Sequence, residues 1–354
     1  MTKKLIMLTL LCLLLIPGCG TNNNNVLSKT WILVSAPGFG DTNNTSIPSM
    51  LVYNGSLLAS TANYTEGTQI WRYASGAWTQ LNTNGFGNAS NTVAYSLASF
   101  NNLLFASVEN LNTGSQIWTW NQTTWSQDAS GGFDDPNNTA ATAMAVLNSN
   151  LYAGTNNSVT GAEVWRRNQL GAWIQVNTDG FGDPSNDGIT AMCVVGNYLY
   201  AGTNNDTEGA QLWRYDGTTW LQITSGFNIP ANLSIPSLVT DGTNLYLGTE
   251  NITAGGQLWF FNNSTWSQIN SSGFGYLTNT SIPSMLYTGG QFFAATENAS
   301  VGTNVFLYLS GWNQVNGNGF GSAANIRVSS MAFSNYVYAG VDNAAGALVY
   351  YYKQ

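Results

Sequence analysis

The chain has 354 residues, of which only 7% are charged while 13% are aromatic and 38 are glycine. Seventeen acidic against nine basic residues give a net charge of −8, which excludes an electrostatic footprint for nucleic acid or anionic lipid heads. Histidine is absent, which removes Ser-His-Asp and Cys-His catalytic arrangements and His-ligated metals.

The N-terminus stands apart from the rest. Lys3 and Lys4 precede a 12-residue apolar run, Leu5–Ile16, too short to span a bilayer and therefore read as a secretory signal. It ends in Ile16-Pro17-Gly18-Cys19, which resembles the lipobox of bacterial lipoproteins, with Pro17 departing from the usual small residue. The resemblance implies a signal peptide over 1–18, lipid attachment to Cys19, and a chain exported and anchored to the cell envelope. Residues 19–29, with Thr21-Asn22-Asn23-Asn24-Asn25, then form a polar tether; Cys19 to Trp31 reaches at most roughly 40 Å. Removing the signal leaves seven of the nine basic side chains against 17 acidic ones. Cys193 is the remaining cysteine beyond Cys19, in the apolar run Ala191–Val195, and reads as a buried thiol rather than a nucleophile.

From Trp31 onward the chain repeats. Trp31, Trp78, Trp125, Trp173, Trp220, Trp266 and Trp312 are 46–48 residues apart. Each is followed by a Gly-Phe pair, from Gly38-Phe39 to Gly319-Phe320, and eleven residues later by a Met or Leu behind a Ser or Ala. A tight turn, a strand like LYAGT and a hairpin such as GAQLWRYDGTTWLQI (Gly209–Ile223) complete the period. Four short strands per period with regular turn signals predict an all-β, seven-bladed β-propeller with four antiparallel strands per blade. The blades fall at about 46–82, 93–129, 140–177, 187–224, 233–270, 280–316 and 326–354 within a 30–354 domain. The last blade lacks a fourth strand, and residues 30–34 are left over to pair beside Leu348–Tyr352 and close it. Counting out from the hairpin turn sets Tyr73 opposite Trp78, Trp120 opposite Trp125, Tyr215 opposite Trp220 and Phe261 opposite Trp266, which assigns these rings to packing between blades. Pro48, Pro236 and Pro283 fall in the innermost strand, whose free edge needs no proline N–H.

LYAGTNNDTEGAQLWRYDGTTWLQI resembles the kelch repeat: an apolar strand ending in Gly-Gly, then a Tyr-Asp pair, then Trp. Gly202-Thr203 and Gly248-Thr249 stand where kelch has Gly-Gly. The resemblance covers the array from about Trp31 and implies a kelch-like propeller of the galactose-oxidase central-domain type. Such propellers serve both binding proteins and enzymes, and copper chemistry of the galactose-oxidase kind lacks its histidines here.

The longer loops, fourth-to-first strand and second-to-third, share one face. Each carries a recurring Asn: Asn44, Asn91, Asn138, Asn186, Asn232, Asn279 and Asn325 in the first kind, Asn63, Asn110, Asn157, Asn205, Asn251, Asn298 and Asn343 in the second. Presence in every repeat assigns these to turn chemistry. What varies between repeats carries the functional expectation. Asp134, Asp135, Asp179, Asp183, Asp187, Asp206 and Glu208 crowd two neighbouring blades, and Glu109, Glu250, Glu297 and Asp342 precede the second-loop Asn. The set forms an acidic face for a cation or a basic partner. Asp183, Asn186 and Asp187 are the oxygen ligands that would suit Ca²⁺, in a loop (GFGDPSNDG) that resembles the calcium loops of integrin-type propellers; otherwise no cofactor is expected. The resulting expectation is a monomeric, lipid-anchored binding or scaffold module for a protein or glycan, without nucleic-acid partners. The alternative is a carbohydrate-active hydrolase or lyase with carboxylates at the channel mouth. Asn-x-Ser/Thr sequons such as those at Asn54, Asn63 and Asn251 arise from the turn-rich composition or accept glycans, depending on the host.

Overall fold

The structure is a computed structural model and describes residues 30–225 and 229–353. The signal segment, Cys19, the polar tether and the Gly226-Phe227 pair lie outside the described residues.

Strands follow one another in antiparallel sets of four. Met50–Tyr53, Ser56–Ser60, Ile70–Ala74 and Ala77–Gln80 form one sheet, and Ala94–Phe100, Leu103–Val108, Gln116–Trp120 and Trp125–Ala129 the next. The same succession of neighbours runs on from Ala140 to Gln314. Arg327–Phe333, Val337–Asp342 and Leu348–Lys353 come last, and their fourth neighbour is Thr30–Leu33, in the register Thr30↔Lys353, Trp31↔Tyr352, Ile32↔Tyr351, Leu33↔Tyr350. Ile47, Met50, Leu57 and Ala59 of the first set share a buried cluster with Ala332, Tyr338, Ala347 and Val349 of the last.

In six sets the first strand carries a bulge where it meets the next. Register shifts enclose Tyr95, Thr142, Thr190, Pro236, Pro283 and Ser329. A bulged residue donates nothing to the ladder, so proline fits there, and with Pro48 these residues line one cavity. The glycine of the second strand has a packing reason. A Cβ on Gly202 would lie 2.6 Å from Ile235 Cγ2 of the following set, so only glycine permits this approach.

The outer strands are held by aromatic rings. Tyr73 faces Trp78, Trp120 faces Trp125, Tyr215 faces Trp220 and Phe261 faces Trp266, as counted from the turns. Phe39 adopts a left-handed backbone (φ 60°), a conformation costly for a bulky residue. Its ring stacks on Trp71 at 5.0 Å and meets Trp78 edge-on at 4.9 Å. Phe86, Phe133 and Phe181 repeat the arrangement. Trp78 Nε1 then donates to the Val34 carbonyl of the preceding set at 2.9 Å, as do Trp125 to Leu81, Trp220 to Val176 and Trp312 to Ile269. Trp173 instead donates to Asp128, which also pairs with Arg167 at 2.7 Å. Trp31 Nε1 is buried without a partner.

Trp78→Phe, which removes the bridging donor and keeps a ring, should lower unfolding stability by about 1 kcal/mol. Trp78→Ala should cost about 3 kcal/mol. Denaturant melts of the two variants against the parent measure the split between hydrogen bond and packing.

Candidate functional site

The recurring Asn residues knit the loop face together from inside. Asn44 Nδ2 donates to the Gly38 carbonyl and to Gln69 Oε1, and Asn63 Nδ2 donates to Asn44 Oδ1. Asn63 Oδ1 accepts the N–H groups of Thr65 and Glu66, forming an Asx turn. Gln69 Oε1 also accepts from Trp71 Nε1. The same chain of contacts recurs at Asn91–Asn110–Gln116 and Asn186–Asn205–Gln211. Asn63 and Asn251 are fully buried, so of the three sequons singled out only Asn54 is exposed. Glu163 occupies the glutamine position of this network, its Oε2 accepting from Asn138 Nδ2 at 2.6 Å and Trp165 Nε1 at 2.7 Å.

The acidic residues separate into two groups. In the loops, Asp135 and Asp183 accept from Asn157 and Asn205, a stapling role that Asp41 repeats on Asn63. Asp179 accepts from Gln175 and Asp187 from Asn204. The oxygens of the Asp183, Asn186 and Asp187 set thus already serve partners within the chain, and among the described residues no group of three or more His, Cys, Asp or Glu is gathered as a metal centre. Asp134, Asp206 and Glu208 are exposed loop side chains.

The second group includes Asp342, which lines the cavity at the bulges, a space of about 590 Å³. Its wall carries Pro48, Pro236 and Pro283, with Tyr64, Tyr95, Thr142, Thr190 and Arg327. Arg327 Nε donates to Asp342 at 2.9 Å and Nη1 to Glu297 at 3.4 Å; burial works against its charge, but the two carboxylates outweigh it and hold the guanidinium above its usual range. Asp342 Oδ1 also accepts from Ser46 and Ser329, joining the first and last sets. Glu109 accepts from Thr92 at 2.6 Å and Tyr95 OH at 3.1 Å. Glu250 lies opposite Ser234 and Ser281, two residues from the cavity's prolines, and its carboxylate has no hydrogen bond or ion pair among the described residues. Burial first, then Glu297, push its pKa up. Tyr64 and Tyr95 are site residues that the sequence reasoning does not single out, and Arg327 joins them. Their signal is a break in the repeat: Arg327 stands where the other sets have Ser46, Val93, Ala140, Gly188, Ser234 and Ser281. On the second-to-third strand loops, the Asx turns push apolar tips into solvent: Tyr64 and Leu111 are 65% exposed and Ile252 63%.

Comparison with protein-family models gave no match, and neither did comparison with curated proteins. Solved structures did match. The WD40 β-propeller domain of Doa1 aligns with a TM-score of 0.61 at 12% identity, over 92% of this chain and 97% of that one. A chain of the mitotic checkpoint complex aligns with a TM-score of 0.62 at 14% identity, over 97% and 99%. The fold is that of a β-propeller. The extracellular domain of a hybrid two-component system from B. thetaiotaomicron also aligns, with a TM-score of 0.62 at 16% identity over 91% of this chain. The propeller spans 39% of that domain's length.

Glu163 sets a pH dependence within this propeller. Burial raises its pKa from the ordinary 4.5, against the lowering pull of Asn138 and Trp165. The folded state therefore holds the proton more tightly, and stability falls as pH rises from the ordinary value through the raised one. Glu163→Gln, matching its sister positions, should raise the melting temperature at neutral pH, with the gap closing as pH falls below about 4.5; paired thermal melts at the two pH values measure it.

Proposed function

We propose that this chain is an exported, lipid-anchored, kelch-like propeller of seven blades that binds a protein or glycan through its long-loop face. The seven Trp periods and the sets of four strands support the blade count. The pairing of Thr30–Leu33 with Leu348–Lys353 supports closure of the last blade by the N-terminal strand. The charged start, short apolar run and Cys19 support export and anchoring in the cell envelope, and one structural neighbour bears the name of an extracellular domain. A monomer suffices for this reading, and no cofactor is required. Ca²⁺ at Asp183, Asn186 and Asp187 would have to displace hydrogen bonds those side chains make within their own loops.

One observation carries the binding role. The recurring Asn side chains of the loop face are engaged internally, while the apolar loop tips Tyr64, Leu111 and Ile252 stand exposed. Exposed apolar tips rimming a polar hollow are what an interaction site requires. A glycan and protein pull-down with the full chain tests it: Leu111→Asp with Ile252→Asp should lose the captured species, and undiminished capture would overturn the assignment of the face.

The second reading, a carbohydrate-active hydrolase or lyase, draws on Glu250 and Glu297. One carboxyl is pushed toward its neutral form while the other is held by Arg327, the kind of division that acid–base pairs use. Hydrolysis or elimination of a polysaccharide by the parent, abolished in Glu297→Gln, would favour it.

Two further outcomes follow from the proposal. Radiolabelled palmitate should enter the parent and not Cys19→Ser. Deleting residues 1–34 should lower the melting temperature of the propeller, and an unchanged value would refute closure by the N-terminal strand.

A further inference from the structure

We infer that the cavity at the bulges is a subsite for a neutral sugar ring at the end of a glycan, stacked against Tyr64 at its rim. The inference rests on the long-loop face being the binding face, and it selects glycan over protein as what that face receives.

Three departures from the repeat meet in this one space. Tyr64 follows the loop Asn of the first blade, where no sister loop has an aromatic residue. Tyr95 takes the bulge of the second blade, where its sister positions hold proline, threonine or serine. Arg327 opens the first strand of the last blade, where the others have small or apolar residues. These blades pack side by side, and all three side chains line the same cavity. Residues that the fold needs recur in every period; these occur once each and converge on one place.

Together they offer what a pyranose requires. Tyr64 is largely exposed and makes no hydrogen bond among the described residues, so its ring has a free face and its hydroxyl a free proton. Arg327 spends Nε on Asp342 and Nη1 on Glu297, which leaves the Nη2 protons for a ligand. Acceptors come from hydroxyls whose own protons are committed. Thr142 Oγ1 donates to the Ile189 carbonyl, Thr190 Oγ1 to the Ile235 carbonyl at 2.8 Å, and Tyr95 OH to Glu109 at 3.1 Å. A hydroxyl has one proton and two lone pairs, so these oxygens accept from what lies beside them. Pro48, Pro236 and Pro283 supply apolar wall between the polar groups. A sugar ring carries the matching mixture: C–H faces for aromatic and proline rings, and a rim of hydroxyls that donate and accept. The space, about 590 Å³, lies within the range of roughly 300–1,000 Å³ that small-molecule sites occupy.

The charges select a neutral ligand. Asp342 and Glu297 already meet the guanidinium, so an anion finds no free cation. Asp342, the carboxylate in the lining, is held by Arg327, Ser46 and Ser329, so a cation finds no free anion. A wholly apolar ligand would cover Arg327 Nη2 and the hydroxyl oxygens without giving them partners.

The test titrates the full chain with the methyl glycosides of glucose, galactose, mannose, N-acetylglucosamine, xylose and fucose, followed by calorimetry and NMR shifts. At least one should bind at millimolar concentration, and its uronic-acid and amino-sugar counterparts should bind about tenfold more weakly. Tyr64→Ala should weaken that glycoside about tenfold without lowering the melting temperature, and Tyr64→Trp should restore it. Leu170→Ser, at an exposed outer turn, should leave binding unchanged. No binding of any neutral glycoside, equal binding of the charged counterparts, or parent-like affinity in Tyr64→Ala would each overturn the inference. The outcomes remain separable from the broader reading. If no glycoside binds while Leu111→Asp with Ile252→Asp abolishes capture of a protein, the face stands and the sugar subsite falls. If capture survives that double variant while Tyr64→Ala loses the glycoside, the subsite stands and the loop tips are wrongly assigned.

Discussion

The structure depends on one repeated contact, a phenylalanine lodged between two tryptophans, one of which reaches across to the preceding blade. The Gly-Phe turn places two successive residues in the left-handed region, and phenylalanine has no intrinsic reason to accept it. The ring geometry supplies the reason. Only this backbone lays Phe39 flat on Trp71 while presenting it to the edge of Trp78. Trp78 is thereby fixed in the orientation that delivers Nε1 to the Val34 carbonyl. Local strain, aromatic packing and attachment between blades are therefore one device, and where it recurs, as at Trp125 and Trp220, it ties a blade's outer half to its predecessor.

The network beneath the loops extends this device toward the face. Trp71 hands its indole N–H to Gln69, Gln69 accepts from Asn44, and Asn44 accepts from Asn63. Each polar group is buried and each finds a partner, which is what burial of amides demands. The consequence is a rigid floor under the loops. Residues on the loop tips are held by Asx turns rather than by contacts of their own, so they are free to differ between blades without disturbing the floor. Glu163 is the one place where a carboxylate enters this network in a glutamine's position, and it brings a proton-dependent cost with it.

Much of the architecture was legible in the sequence because it rests on periodicity. The spacing of the tryptophans located the strands, and counting from the hairpin turns paired Tyr73 with Trp78 and Phe261 with Trp266. Asn recurrence separated turn chemistry from candidate function, since residues needed in every repeat belong to the repeat. The site was less legible. Asp135 and Asp183 look identical in sequence to ligand-binding acids, yet they accept from Asn157 and Asn205; direction of a side chain is a tertiary fact. Tyr95 and Arg327 are single departures from the repeat, and each meets its carboxylate, Glu109 or Asp342, within its own blade; what the spacing does not show is that the two blades then line one cavity. Proline on the innermost strand was expected for an edge, and the bulge gives the sharper reason, a residue excused from the ladder.

Trp31 has a mechanical consequence. It sits on the strand through which any tension on the N-terminus enters the fold, and it lacks the indole bridge that Trp78, Trp125, Trp220 and Trp312 make. Load applied there reaches the rim of a sheet whose opposite, innermost edge borders the cavity. Peeling at Thr30–Leu33 would loosen the outer edge of one blade while Arg327, Asp342 and Ser46 stay joined at the inner edge. An outer edge that yields in this way leaves the geometry of the mouth unaltered.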